Sequence, residues 1–507
     1  MKRIGDRFRQ SVTSYDLVFW LLVASCVGLV LFSYPMMKLR YDLWDHVDRI
    51  RAMVLDASAP SPAKRYWYAC WAFVFKLFDV TDIFTIATVI HRVQFIANCV
   101  LIYAAAKQLF EPLLSLSRHD RLQNQWLSAL SLSSVLIWLG SISTFSFIQQ
   151  AWIMWYSVNY QITLSFLLLS ISLAVNLLTV EQSKNTQIIK AMLAAALLVL
   201  ILLFHAGELA YFIFYLPIFI VCFGNKLKFN IKYLIGCSFL VVIVLIFGLY
   251  FYKDQTPLLV TLLKNNEISK IMALINQKGT WNAVEGGNRY AGNWNEMYAL
   301  SVVILLLIAL FAVFKKIAVN NRVLAFIVLS LVFCFAPTYV FSSGFLSLVS
   351  YDGIVNRYYF ASFLFLSLPL CIYLIIKQFE LKLFNHPVII IIFIITIIVV
   401  IYSYSKYYNN QGVFYQNIKS IAASFKAKKL DVEVSDFDMI DIKKQIQIAE
   451  ATAKSSDFIY CGPYAKIYMV AYLYNRKNVY FDRLRDIGIA ECEESATKAN
   501  KYVVYIR

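Results

Sequence analysis

Charge is scarce in this chain: only 15% of its 507 residues are Asp, Glu, Lys or Arg, while 60% are hydrophobic. Ordinary water-soluble domains carry about 25% charged residues, so that class is excluded for most of the length. Glycine and proline are few as well, 16 and 10, which excludes collagen-like chains and long Gly/Pro linkers. The chain has 5 histidines and 9 cysteines. No Cys-x-x-Cys or Cys/His metal spacing occurs among them, so no cofactor is indicated, and the use of a divalent metal stays open. Cys26, Cys70, Cys99, Cys222, Cys237, Cys334 and Cys371 lie in or beside apolar segments, where thiols act as small hydrophobes. Only Cys461 and Cys492 fall in a polar stretch, where an oxidising compartment would permit a disulfide. There is no internal repeat and no low-complexity segment.

What the chain has instead is long apolar runs and a mean hydropathy of +0.64. Runs long enough to cross about 30 Å of hydrocarbon as helices recur throughout. They predict an all-α polytopic membrane protein of about eleven transmembrane helices. The expected spans are 15–36, 88–109, 127–147, 160–178, 190–206, 209–224, 233–252, 298–314, 323–341, 358–376 and 387–404. The first run is of full span length, and no small-residue cleavage site follows near Tyr34-Pro35-Met36, so an uncleaved first span is expected. Only His205-Ala206-Gly207-Glu208 separates the fifth span from the sixth.

Basic residues in short loops mark the cytoplasmic side. Lys2, Arg3, Arg7 and Arg9 precede the first span, and every second crossing returns to a basic loop. Those loops hold Lys107, Arg118 and Arg121, then Lys184 and Lys190, then Lys226, Lys228 and Lys232. Further on come Lys315, Lys316 and Arg322, and finally Lys377 and Lys382. The N-terminus is therefore expected in the cytoplasm, and the 37–87 loop, the 253–297 loop and the tail outside. The net charge of +17, 47 basic against 30 acidic residues, follows from this bias and from attraction to anionic lipid headgroups. It needs no nucleic acid.

The domain reading is a membrane module over 1–404 and a small outward α/β domain over 405–507. In the tail, 457–462, 478–482 and 501–506 read as strands and 440–454 as a helix. The 253–297 loop scatters Gly279, Gly286, Gly287 and Gly292 among Trp281, Arg289, Tyr290 and Trp294. Such a loop suits a mobile cover over a ligand, because aromatic faces pack on sugar rings; an interfacial aromatic belt is the equal alternative.

The first outward loop concentrates what charge there is. Asp42, Asp45, His46, Asp48 and Arg49 fall within one short stretch, followed by the breaker-rich Ala57-Ser58-Ala59-Pro60-Ser61-Pro62. Next comes Tyr66-Trp67-Tyr68-Ala69-Cys70-Trp71-Ala72-Phe73-Val74-Phe75-Lys76-Leu77-Phe78, apolar but too short to span and rich in interface-seeking aromatics. An acidic helix over the membrane and an aromatic helix resting in it are expected. Helix capping by Asp45 and surface pairing of Asp48 with Arg49 would explain the charges without chemistry.

The order of these features resembles the start of the GT-C fold glycosyltransferases, which use polyprenyl-phosphate-linked sugars. In that superfamily an acid follows the first span, then a Pro-Pro-Leu-Tyr-type segment, a Phe-Lys-Leu-Phe-Gly-Val-like run and an Arg opening the second span. Here Ser61-Pro62-Ala63-Lys64 stands for the Pro pair, Phe75-Lys76-Leu77-Phe78-Asp79-Val80 for the run, and Arg92 for the Arg. The similarity covers residues 1–110 and the overall topology. One departure is that the superfamily's Asp-Glu pair is replaced by Asp45-His46. Bacterial serotype-converting O-antigen glucosyltransferases fit the length and span count well.

The resemblance implies an inner-membrane enzyme with a periplasmic tail. It would transfer a sugar, glucose in that group, from undecaprenyl phosphate to a lipid-linked or polymeric glycan acceptor such as O-antigen. Inverting transfer needs a carboxylate to take the acceptor's hydroxyl proton, at headgroup level on the outer face. Asp45 is the first choice, Asp42 the second, with His46 and Asp48 next. The leaving phosphate needs a cation; Arg92 and Arg357 are the candidates, though an Arg at a membrane edge also snorkels to lipid headgroups. His205 and Glu208 are candidates for acceptor hydroxyls, and Arg289, Tyr290 and Trp294 for substrate covering. Two alternatives stay open. A lipid-linked glycan polymerase or ligase would depend on late outward residues such as Arg289 and Arg357. A flippase or transporter would need charges lining a mid-bilayer path, and mid-span acids are nearly absent.

Overall fold

The computed structural model describes residues 41–55, 65–81, 83–114, 121–140, 159–224, 267–281, 321–333 and 363–378. Short pieces at 392–396, 458–461 and 502–505 and isolated positions elsewhere complete the described set. In chain order the helices are α1 (Tyr41–Val54), α2 (Arg65–Leu77), α3 (Ile83–Leu113), α4 (Arg121–Gly140) and α5 (Asn159–Thr179). They continue with α6 (Lys184–His205), α7 (Phe212–Phe223), α8 (Ile268–Trp281), α9 (Asn321–Phe333) and α10 (Leu364–Gln378). Two short strands follow, β1 (Phe458–Cys461) and β2 (Tyr502–Tyr505). The described residues are thus overwhelmingly helical. The expected spans 15–36, 233–252 and 298–314 lie outside them.

Two helical stretches are long and apolar enough to cross a membrane, Ile162–Thr179 and Lys184–His205. The second is the more telling. α6 buries only Leu197, Ile201 and Leu202 in the protein and leaves Ile189, Met192 and Val199 more than half exposed. Water would penalise so much contiguous apolar surface, at about 25 cal/mol per Å². A hydrocarbon surrounding removes the penalty, because the helix already satisfies its own backbone polar groups. Hydroxyls in the apolar helices follow the same logic. Ser131, Ser134 and Ser172 donate to the carbonyls of Leu127, Leu130 and Leu168 one turn back.

The chain forms two compact units. One comprises Met1–Leu29, Pro60–Trp67 and Val93–Lys419, and its core is aliphatic and aromatic. Within it α5 and α6 form an antiparallel hairpin across the short 180–183 link. Ser183 caps α6, its hydroxyl accepting from the Thr186 N–H at 3.3 Å. The Ser165 hydroxyl donates to Asn98 Oδ1 at 2.8 Å. Further along, Asn176 Nδ2 donates to the Gln108 carbonyl and to Glu111 Oε2, both at 3.0 Å. Partner positions advance together along the two helices, so α3 and α5 run parallel. The Gln108 carbonyl needs that amide, because Pro112, four residues on, has no N–H to return. Asn176 Oδ1 in turn accepts from Gln182 Nε2 at 2.6 Å and Lys190 Nζ at 2.8 Å. One buried amide thus ties the ends of α3, α5 and α6. Elsewhere Trp126 of α4 packs edge-on against Tyr373 of α10 and against Phe393, and Phe326 of α9 sits among Tyr215, Phe219 and Phe223 of α7.

The other unit comprises Val30–Ala59, Tyr68–Arg92 and Ser420–Arg507. β1 and β2 pair in parallel, Phe458 opposite Tyr502 through Cys461 opposite Tyr505. Parallel pairing requires a crossover connection between the two strands. The strands expected at 457–462 and 501–506 are therefore present, and the one at 478–482 lies outside the described residues. Lys444, Gln445, Gln447, Ile448 and Ala451 are helical, within the expected 440–454 helix.

Two local differences from the sequence reading stand out. The 253–297 stretch is not loop throughout, since α8 crosses it and runs through Gly279. Ile268, Ile271, Met272 and Ile275 repeat at helical spacing, and that period outweighs one glycine. The His205–Glu208 break is a six-residue 3₁₀ turn, Ala206–Tyr211, with Glu208 fully buried in it.

Candidate functional site

The acidic segment forms α1, and its buried positions His46, Val47 and Ile50 make one stripe. At about 100° per residue, positions 45 and 48 fall on the opposite side of the helix and position 42 between the two. The side chains of Asp42, Asp45 and Asp48 lie outside the described residues, as does that of Arg92. Arg289, Tyr290, Trp294 and Arg357 lie outside them altogether.

The aromatic segment forms α2, which is apolar on two sides. Trp67, Tyr68, Ala72 and Phe75 are buried, while Phe73, Leu77 and Phe78 are about 70% exposed, at 68%, 69% and 70%. Such a helix needs protein on one side and an apolar medium on the other. Its C-terminus closes with the Asp79 N–H bonded to the Lys76 carbonyl at 3.2 Å and the Val80 N–H to the Phe75 carbonyl at 2.9 Å. These two bonds define a Schellman cap, whose penultimate position takes a left-handed backbone. Asp79 occupies it with φ 51°, among the described residues the one non-glycine with positive φ.

α1 and α2 are joined through side chains. His46 Nδ1 and Tyr68 Oη lie 2.6 Å apart, with ring centroids 5.6 Å apart. Both residues are fully or almost fully buried, at 1% and 0% exposure. Sequence reading had placed His46 among the candidate acids and bases and Tyr68 among the interfacial aromatics. No periodicity within either segment signals that they meet.

The second candidate pair is His205 and Glu208, with Nδ1 and Oε2 3.2 Å apart. His205 leaves helical geometry at φ −162°, ψ 82°, and this break lets its ring turn back onto a carboxylate three residues ahead. Glu208 has no exposed surface and His205 retains 14%. The buried carboxylate can hold the partly exposed imidazole in place for hydrogen bonding to a polyol. Among the described residues no three His, Cys, Asp or Glu side chains gather as a metal-ligand set. No protein-family model, curated protein or solved structure matches the chain.

Proposed function

We propose that this protein is a multi-span membrane glycosyltransferase. It moves one hexose, glucose in the group it resembles, from undecaprenyl phosphate to a glycan acceptor such as O-antigen. The site lies on the outer face of the bacterial inner membrane. The observation that carries this reading is the helix pair. α1 bears three carboxylate positions and is bonded through His46 to α2, whose exposed Phe73, Leu77 and Phe78 suit an outer leaflet. An acid held at headgroup level is what a lipid-phosphate donor requires.

In the reaction the acceptor oxygen bonds to the anomeric carbon from the face opposite the phosphate, and its proton passes to Asp45. Asp42 is the neighbouring carboxylate. The bond from carbon to phosphate oxygen breaks, and its electron pair leaves on the phosphate, whose charge Arg92 or Arg357 balances. His205, oriented by the buried Glu208, would hold acceptor hydroxyls, and Arg289, Tyr290 and Trp294 would cover the substrates. Asp48 is the reserve acid.

The Phe75–Val80 run supports the family reading in a physical way. Its fifth position is Gly in the resembling superfamily, and here Asp79 adopts the left-handed backbone that Gly favours. Helix directions fit the alternation of spans in the proposed topology. α3 and α5, expected spans two and four, run parallel, and Trp126, Tyr373 and Phe393 meet near the cytoplasmic ends of spans three, ten and eleven. Mass analysis of surface polysaccharide with and without the protein tests the function. A loss of one hexose per unit is expected on deletion; an unchanged polysaccharide mass contradicts it.

A further inference from the structure

We infer that His46 and Tyr68 are a positioning pair for the α1 carboxylates, and that His46 is not itself the proton acceptor. The inference rests on the transferase reading above. Nδ1 and the phenol oxygen lie 2.6 Å apart. Either atom can be the donor, depending on the tautomer, and in both cases the bond engages Nδ1. Nδ1 is thus committed within the α1–α2 pair. The burial of His46 at 1% exposure also removes it from the surface an acceptor glycan would approach.

What the bond does set is rotation. Val47 and Ile50 are buried beside His46, but apolar packing alone permits a helix to roll, since dispersion contacts are non-directional. A short bond between two buried side chains does not. Holding His46 inward directs positions 45 and 48 to the opposite side of α1, and position 42, one turn before His46, to its flank. The partners are 22 residues apart in sequence, so the bond ties α1 to α2 across the chain between them.

The test uses the purified full-length protein in nanodiscs, with two readouts. The first is carbethoxylation of His46 by diethyl pyrocarbonate, followed by peptide mass, and it does not depend on sugar transfer. In Tyr68→Phe, which keeps the ring and deletes the hydroxyl, labelling should rise about tenfold, the equivalent of one lost hydrogen bond. The second readout is hexose transfer. Tyr68→Phe should lower kcat about tenfold or more with donor KM unchanged, while Tyr66→Phe alters neither. Asn places its side-chain oxygen near the Nδ1 position. His46→Asn should therefore retain kcat to within about threefold, and His46→Leu should fall as Tyr68→Phe does. Unchanged labelling in Tyr68→Phe overturns the inference, as does a His46→Asn variant as inactive as His46→Leu. Transfer by the wild type with kcat unaffected in Tyr68→Phe overturns the positioning role alone. No transfer by the wild type overturns the transferase reading and the positioning role with it.

Discussion

Asn176→Leu should be among the most damaging single changes in the membrane module. The substitution keeps the bulk of a fully buried residue and removes four hydrogen bonds, to the Gln108 carbonyl, Glu111, Gln182 and Lys190. Interhelical bonds in membrane proteins average about 0.6 kcal/mol and reach about 1.7. Taking the average for the two neutral partners and up to the maximum for the two charged ones gives a loss of about 2–4 kcal/mol. The structure adds a finer expectation. The Gln108 carbonyl depends on Asn176 because Pro112 withholds an N–H, so Pro112→Ala should supply the missing intrahelical donor. Asn176→Leu should therefore cost about 0.5–1 kcal/mol less in a Pro112→Ala background than alone. The assay is SDS-titration unfolding of the four proteins of this cycle in bicelles. A cost below about 0.5 kcal/mol for Asn176→Leu, within ordinary surface-substitution range, would refute the reasoning. So would equal costs in both backgrounds.

Three further outcomes are expected. Gly344→Ala should destabilise by about 1–3 kcal/mol, because a Cβ there would overlap the Ile275 carbonyl of α8; faster hydrogen exchange across 268–281 reports it, and unchanged exchange refutes it. Asp79→Gly should raise thermal stability by about 0.5–1 kcal/mol by relieving the left-handed backbone. It should leave transfer intact, and a loss of stability would contradict the cap. Glu208→Gln should raise acceptor KM about tenfold while leaving donor KM unchanged, as expected when the buried carboxylate no longer orients His205, the member of the pair with exposed surface; an unaltered acceptor KM removes the pair from the acceptor site.

The parts of this fold set by local period could be read directly from the chain. The apolar runs at 160–178, 190–206 and 209–224 coincide with α5, α6 and α7 to within a few residues, and the acidic and aromatic loop segments are the helices α1 and α2. Side-chain pairings that depend on packing could not. Asn176 is a lone amide in an apolar run, and only its place among Pro112, Glu111 and Lys190 makes it a hub. The His46–Tyr68 bond is equally invisible, since it joins two segments across a break. α8 was hidden by glycines that suggested a loop, although its Ile spacing carried the helix signal. Glu208 is an isolated acid at the break between two apolar runs, and the sequence held no sign of how the His205 backbone folds the imidazole onto it.

The proposed role of α1 as the acid-bearing helix of the site is tested most directly by Asp45→Asn. The variant is isosteric and removes only the proton-accepting charge. Hexose transfer from polyprenyl phosphate to a glycan acceptor should be measured with purified wild type, Asp42→Asn and Asp45→Asn at matched expression and folding. Loss of general-base catalysis lowers kcat by about 10²- to 10⁴-fold, and this is expected for Asp45→Asn. Full activity in both the Asp42 and Asp45 variants would contradict it.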